Sequence, residues 1–173
     1  MQIKFILIGL IFSSLNLHSQ IVNLKDFYVG EGVIINDYEE FPFLFAGNKF
    51  KEKITININD AIEAEKFIME NFYEHRMRLL NHFGSNHNIK KLKDSKMVKR
   101  RFKHYNRQYA GYIDKQNDTI IYVGMLNFSN ARKANHKFNG WNNQLLLGTG
   151  DWYYSNQDSF IYNKTKRKLE DNF

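Results

Sequence analysis

The clearest pattern of hydrophobic and polar positions is a pair of β-rich runs around the polar break 114–118. The first run, 105–113, mixes aromatic and polar residues on both faces, and the second, 119–128, is apolar on both faces. Two such runs around a short polar break predict a β-hairpin. A strand that is apolar on both sides suits a central position in a sheet. We therefore expect this hairpin in the middle of an antiparallel sheet, and the pattern leaves open which of its faces is covered.

A long stripe with helical spacing precedes the hairpin. Asp60 as N-cap and Glu63 three residues later form a capping-box pattern, and Gly84 suits the residue that ends a helix. An amphipathic helix is therefore predicted over 60–83. Its apolar stripe consists of Ala61, Ala64, Ile68, Phe72, His75 and Leu79.

The remaining segments are shorter. Isoleucine alternates with polar residues over 53–58, which predicts a half-buried strand. Segments 33–35 and 41–45 are short and apolar, and the glycines around them favour one or two edge strands in otherwise irregular chain. Segment 85–95 is polar and basic, which predicts a loop.

Downstream, extended chain is expected from Met97 into the hairpin. The polar segment 129–140 predicts a loop, 141–148 a strand, and 152–163 a long aromatic strand. A turn over 163–166 then leads into a short final strand.

A strand, one long helix and a run of antiparallel strands is an α+β plan. Cystatin-like and NTF2-like folds are built in this way, with the helix packed on a curved sheet. The stretch 109–113, followed by Trp141 and an aromatic strand that ends at a lysine-rich turn, resembles a set of small uncharacterised secreted bacterial proteins. The resemblance covers about 103–173, and it implies a fold class and an export route but no activity.

The N-terminus has the layout of a secretory signal. Lys4 precedes the apolar run 5–12, and a polar segment ends in a small residue, which predicts a signal peptide over 1–19 and a single domain over 20–173. The apolar run is shorter than the ~20 residues of a membrane span. The chain has no cysteine, which excludes disulfides and a lipid-bearing cysteine. We therefore expect a bacterial periplasmic or secreted protein without a transmembrane span after signal removal.

The chain is basic, with a formal charge of +7, and its strongest charge feature is the run 90–103. Cations interleaved with aromatic residues suit an anionic surface, although a solvated outer face explains the same pattern. An anionic component of the cell envelope or another protein is the expected partner, and the absence of a nucleic-acid motif argues against nucleic acid. The predicted anionic-surface residues are Lys99, Arg100, Arg101, Lys103 and Arg107.

Four aromatic residues are candidates for ligand binding on a concave sheet: Tyr109, Tyr112, Trp141 and Trp152. Aromatic side chains of this kind can line a pocket, and they can equally form cross-strand core pairs.

Catalytic chemistry has little support in the sequence. His75, His82 and His87 lack the i, i+4 pairing that chelates a metal from a helix, and Asp151 next to Trp152 is explained by turn chemistry. No catalytic residue, metal or cofactor is predicted. The sequence favours a non-enzymatic exported binding module. A small enzyme with an NTF2-like pocket and a basic envelope-associated protein are the alternatives.

Overall fold

A computed structural model describes residues 20–38, 49–83 and 94–171, without the side chains of 80–83. Within these ranges the chain forms seven strands and four helices. The strands are β1 (Gln20–Val22), β2 (Gly32–Ile34), β3 (Phe50–Ile54), β4 (Tyr105–Asp114), β5 (Thr119–Asn127), β6 (Gln157–Asn163) and β7 (Lys168–Glu170). The helices are α1 (Ile58–Phe83), α2 (Ser95–Arg101), α3 (Ala131–Lys137) and α4 (Asp151–Asn156).

Several predicted features lie outside the described residues. They are the signal peptide 1–19, the edge strand 41–45, the helix-ending Gly84 and most of the loop 85–95. None of the described helices is both long and apolar enough to cross a membrane.

The sheet is mixed and mostly antiparallel, which confirms the α+β class. Its strand order is β1-β2-β4-β5-β6-β7, and β3 pairs with β4. β2 runs parallel to β4, with Gly32 opposite Arg107, whereas all other pairs are antiparallel. One edge of β4 is occupied by β5. The other edge is therefore shared by β2 and β3. β2 covers its first half and β3 its second half.

The predicted hairpin is confirmed as β4 and β5 at the centre of the sheet. Its turn closes through a bond from the Asn117 N–H to the Asp114 carbonyl, at 2.9 Å. Asn117 has a φ of 65°, a left-handed conformation that asparagine tolerates well. The Asp114 carboxylate accepts bonds from the N–H groups of Gln116 and Asp118 at 2.8 and 2.9 Å. The turn residues therefore fix the register of the central strands.

The two faces of the sheet are covered differently. α1 lies on one face, here called the α1 face, against side chains such as Tyr109, Val123 and Phe160. The opposite face, here called the far face, carries Tyr112 and Tyr122 among other buried residues, and it packs against the segment 138–147. Odd-numbered residues of β4 and β5 point towards α1, which settles the question that the hairpin pattern left open.

α1 begins earlier than predicted, at Ile58 instead of after Asp60. Asn57 is the residue that caps it, because its side-chain oxygen accepts bonds from the N–H groups of Asn59 and Asp60 at 2.8 and 3.4 Å. The Asp60 carboxylate bonds back to the Asn57 N–H at 2.8 Å. The capping box is present, but Asp60 is its N3 residue and not its N-cap residue.

The extended segment predicted from Met97 is wrong, because 95–101 forms α2. Asp94 caps this helix through the Lys96 N–H at 2.8 Å. Val98 and Phe102, four residues apart, are both buried. Only these two positions face the core, so the helix has too few apolar residues for its period to stand out.

The predicted loop 129–140 contains α3, and the reason is similar. Asn130 caps the helix by accepting a bond from the Lys133 N–H at 3.1 Å. Ala134 and Phe138 are its buried positions, and its other residues are exposed. A short helix that buries two side chains resembles a polar loop in its pattern.

The strand predicted over 141–148 is also wrong, since this segment forms turns and irregular chain. Its backbone is bound by a side chain and not by a strand. The buried Gln108 donates to the carbonyls of Trp141 and Gln144, the latter at 2.6 Å, and accepts from the Leu146 N–H at 2.9 Å. The run of leucines packs on the far face without entering the sheet.

The long aromatic strand predicted over 152–163 is divided into α4 and β6. Gly150, with a φ of 100°, precedes α4 and lets the chain change direction there. Trp152 and Tyr153 then pack against Phe138, with ring centroids 5.1 and 5.8 Å apart. Aromatic residues are thus used here to dock a helical turn. The predicted final turn and strand correspond to the β6–β7 hairpin.

The observed helix start gives a direct test. Replacing Asn57 by alanine removes the N-cap, which should lower the free energy of unfolding by about 1 kcal/mol. Asn59→Ala is the matched control, because Asn59 lies inside the helix and is exposed, and its stability should be unchanged or slightly higher. Urea denaturation measures both. Equal stability of the two variants would contradict the assignment of Asn57 as cap.

Candidate functional site

The four aromatic residues predicted to bind a ligand do not come together. Tyr109 is buried on the α1 face, and Tyr112 lies on the far face. Trp141 and Trp152 are half-buried beside the far face, where they contact Phe128 and Phe138 at centroid distances of 5.6 and 5.1 Å. Tyr109 thus belongs to the packing of the α1 face, whereas Trp141 packs against both the cluster that contains Tyr112 and the cluster that Trp152 contacts.

The space between α1 and the sheet is filled by side chains, and at its centre lies an ion pair. Glu65 on α1 and Arg107 on β4 are both fully buried, with 3.1 Å between Arg107 Nε and Glu65 Oε1. Arg107 also donates to the carbonyls of Phe102, at 2.8 Å, and of Tyr105. Arg107 therefore does not belong to the predicted anionic surface. Its charge is neutralised inside the protein.

Two tyrosines also belong to this buried network. The Tyr109 hydroxyl donates to Glu65 Oε1 at 2.9 Å, and it lies 3.4 Å from the Tyr28 hydroxyl. The Arg107 guanidinium lies 4.4 Å from the centre of the Tyr28 ring. Burial raises the pKa of Tyr28 to about 12 and raises that of Tyr109 well above its ordinary value. Both hydroxyls therefore remain protonated, and the network acts as a neutral, hydrogen-bonded link between the helix and the sheet.

His75 lies at the same helix–sheet boundary. It is 2% exposed, its ring centroid lies 6.0 Å from that of Phe160, and its Nδ1 is 3.5 Å from an oxygen of Asp171. Burial, together with Arg76 and Arg78, lowers the pKa of His75 to about 4. Among the described residues no group of three potential metal ligands is present. The His82 side chain and His87 lie outside them.

A small polar cleft of about 180 Å³ lies where the two hairpins meet, next to Tyr112. Its charged groups are largely occupied by one another. Lys166 bonds to Asp118, and this bond lowers the pKa of the Asp118 carboxyl and raises that of Lys166. Lys168 lies 2.9 Å from Glu170. The cluster fastens the hairpin ends together and offers little free charge to a ligand.

A larger cleft of about 350 Å³ lies on the far face, between β5, β6 and the segment 146–149. We call it the far-face cleft. Its volume falls at the lower end of the range for small-molecule sites, roughly 300–1,000 Å³. Its lining consists of Tyr122, Leu126, Leu146, Leu147, Gly148, Thr149, Tyr154, Gln157, Asp158 and Ser159.

The wall of the far-face cleft is held in place by Gln157. Its side chain accepts from the Gly148 N–H at 3.1 Å and donates to the Gly148 carbonyl at 2.7 Å. The Tyr153 ring packs so closely on Gly148 that a Cβ there would lie 2.0 Å from it. The wall is therefore fixed on both sides, and the cleft is largely preformed.

The far-face cleft has few polar groups, and Asp158 is the charged residue of its lining. Asp158 contributes to its lining, but the carboxylate is bound by Arg76. The hydroxyls of Ser159 and Thr149 have no hydrogen-bond partner among the described residues. These two hydroxyls and that of Tyr154, which is also in the lining, could orient a bound molecule.

The sequence pattern does not reveal this cleft, because it predicts strands over 141–148 and 152–163, the two segments that supply most of the lining. No motif marks Gln157 or Ser159. The Gly-Thr-Gly sequence at 148–150 was a visible sign of a bend, since glycines of this kind interrupt a strand.

Four of the predicted anionic-surface residues do share a surface. Lys99, Arg100 and Arg101 belong to the last turn of α2, and Lys103 follows in the turn before β4. Arg100, Arg101 and Lys103 are exposed and Lys99 is half-exposed. Asp151, for which the sequence favoured turn chemistry over an acid role, is exposed at the start of α4.

Comparison with models of protein families, with curated proteins and with solved structures finds no match for this chain. A proposal about function therefore rests on the residues of this chain.

The buried ion pair predicts strong coupling between α1 and β4. Glu65→Leu or Arg107→Met alone leaves a buried charge without its partner, which should cost about 3–5 kcal/mol of unfolding free energy. The double variant removes both charges and should be clearly more stable than either single variant. Urea denaturation of all three measures the coupling.

Glu52→Leu is the control for this cycle. It breaks a half-exposed pair with Lys51 at 3.7 Å, which should cost less than about 1 kcal/mol. Single variants at Glu65 or Arg107 with wild-type stability would show that this pair does not link helix and sheet.

His75 predicts a pH dependence of stability. Its pKa is about 4 in the folded protein against an ordinary value of 6.5, so the unfolded chain binds the proton more readily. Neutral His75 therefore stabilises the fold fully above pH 6.5, and this contribution is lost as the pH falls towards 4. The loss should reach about 3 kcal/mol.

His75→Phe should flatten the unfolding free energy across this pH window, since phenylalanine carries no proton to bind. The exposed His136 supplies the control, and His136→Gln should keep the wild-type slope. Chemical denaturation at a series of pH values gives the slopes. An unchanged slope in His75→Phe would refute the assignment to this imidazole.

Proposed function

We propose that this protein is an exported, non-enzymatic binding module that holds a small neutral molecule in the far-face cleft. The observation that carries the proposal is the cleft itself, which has a volume of about 350 Å³ and a mainly apolar lining. Binding sites for small molecules are typically concave and apolar, with a few placed polar groups. The far-face cleft has this composition.

The proposal extends to the fold type and the location. A 26-residue helix packed across β4, β5 and β6 supports a cystatin-like or NTF2-like arrangement. The charged and apolar N-terminal sequence supports export, and the lack of cysteine suits a bacterial periplasmic or secreted protein. In an NTF2-like enzyme the pocket would lie between the helix and the sheet. Here that space is occupied by the Glu65 and Arg107 network, which disfavours the enzyme alternative.

The lining chemistry defines the ligand class. Leu146 and Leu147 offer an aliphatic surface, and Leu126 and the Tyr122 ring lie buried at the bottom of the cleft. No lysine, arginine or histidine is among the lining residues, so an anionic ligand would lose its hydration without gaining a counter-charge. A neutral aromatic or aliphatic molecule with one or two hydroxyl or carbonyl groups matches this cleft best.

Titration with 2-naphthol, followed by amide NMR shifts, tests the proposal. This probe is a neutral fused ring with one hydroxyl. Amide shifts should concentrate at 146–149 and 157–159, with a Kd of roughly 10 µM to 1 mM, the range expected for a ligand of this size. The carboxylate analogue 2-naphthoate should bind at least about tenfold more weakly because the lining holds no cation.

Two variants locate the site. Ser159→Phe fills the base of the cleft and Thr149→Trp covers its exposed rim, so each should weaken 2-naphthol binding at least about tenfold. Ser129→Phe adds the same ring at an exposed position elsewhere and should bind the probe like the wild type. Wild-type affinity in both cleft variants, or shifts confined to other regions, would refute the proposal.

A further inference from the structure

A second surface carries charge that the far-face cleft does not use. It consists of α2 and the turn after it, and we call it the basic face. Its cations are Lys96, Lys99, Arg100, Arg101 and Lys103. None of the five forms an ion pair with another described residue. The Asp94 carboxylate nearby is engaged in capping the helix.

Exposed apolar side chains lie beside these cations. Val29 is 65% exposed and Met97 is 40% exposed. The Val29 N–H donates to the Lys103 carbonyl at 2.8 Å, so this apolar residue is fixed next to the basic turn. The Lys99 ammonium lies 4.9 Å from the centre of the Phe27 ring in the same loop. The basic face thus combines charge with accessible hydrocarbon.

The basic face is also firmly anchored from beneath. Val98 and Phe102 are 1% and 0% exposed, and they join the core under α1. The Phe102 ring packs edge-on against Phe72 of α1, with centroids 5.5 Å apart. The cations therefore project from a fixed platform.

We propose that the basic face docks on an anionic lipid bilayer, with the cations at the headgroups and Val29 and Met97 at the acyl boundary. Cations near an anionic bilayer are attracted to its surface, and apolar residues beside them add burial in the interface. An anionic polymer would use the charges but would leave the two apolar side chains in water. This inference is independent of the far-face cleft, since the two surfaces share no residue.

Cosedimentation with vesicles tests the inference on the wild-type protein. Vesicles of equal parts phosphatidylcholine and phosphatidylglycerol should bind it, and vesicles of phosphatidylcholine alone should not. Each cation at such a surface changes partitioning roughly fivefold. The triple variant Lys99→Gln, Arg100→Gln, Lys103→Gln should therefore bind anionic vesicles roughly 100-fold more weakly.

A control with the same net charge separates this face from overall charge. Arg132→Gln, Lys133→Gln, Lys137→Gln removes three exposed cations from α3. It should keep vesicle affinity within about fivefold of the wild type, because these residues lie outside the basic face. Equal losses in both triple variants would overturn the proposal in favour of non-specific charge attraction.

The apolar contribution separates a bilayer from a soluble polyanion. Val29→Ser, Met97→Ser retains every charge, so it should bind polyphosphate like the wild type and bind anionic vesicles several-fold more weakly. Wild-type affinity of this variant for vesicles would overturn docking on lipid and would identify a general polyanion surface. Far-UV circular dichroism of each variant confirms that the fold is retained.

Discussion

The ion pair between Glu65 and Arg107 is the interaction on which the arrangement of helix and sheet depends. Both side chains are fully buried, so each charge is tolerable only while the other is in place. Apolar packing alone would allow α1 to slide or rotate over the sheet at modest cost. A shift of α1 along its axis would separate the two buried charges, which penalises other positions of the helix. The hydroxyl of Tyr109 on β4 and the ring of Tyr28, between β1 and β2, also contact the pair. These contacts restrict the position of α1 further.

The far face is covered in a different way. Glutamine side chains bind backbone groups that a neighbouring strand would bind in a regular sheet. Gln108 binds three backbone groups of the segment 141–146, and Gln157 binds both polar groups of Gly148. Buried backbone groups need partners, and here side chains from β4 and β6 supply them. The covering segment can therefore remain irregular and still lie on the sheet. This irregularity is what leaves room for the far-face cleft.

The sequence predicted the elements whose pattern depends on local chemistry. The hairpin of β4 and β5 has a polar break between strong strand formers, and α1 has enough apolar positions for its period to show. The short helices α2 and α3 were not predicted. Each buries only two residues, Val98 and Phe102 for α2 and Ala134 and Phe138 for α3, and two residues establish no helical period. The segment 141–148 was wrongly predicted as a strand. Its backbone is bound by the side chain of Gln108, which lies 33 to 38 residues earlier in the chain, and no local pattern reveals such a contact. Arg107 was placed on a surface for the same reason, since Glu65 approaches it only in the folded chain. Charge patterning needs no tertiary contact, so the sequence could place Lys99, Arg100, Arg101 and Lys103 on one surface, and their role there stays a prediction.

The division of one edge of β4 between β2 and β3 has a consequence for the order of folding. Glu31 and Asn106, which bond where β2 joins β4, are 75 residues apart in the chain. During synthesis, β2 and β3 emerge before β4, the strand with which both of them pair. β2 and β3 thus lack this partner, and α1 lacks the sheet on which it packs, until the central hairpin is available, and contacts of such long separation form slowly. A chain built in this way completes its sheet only when the central hairpin has emerged.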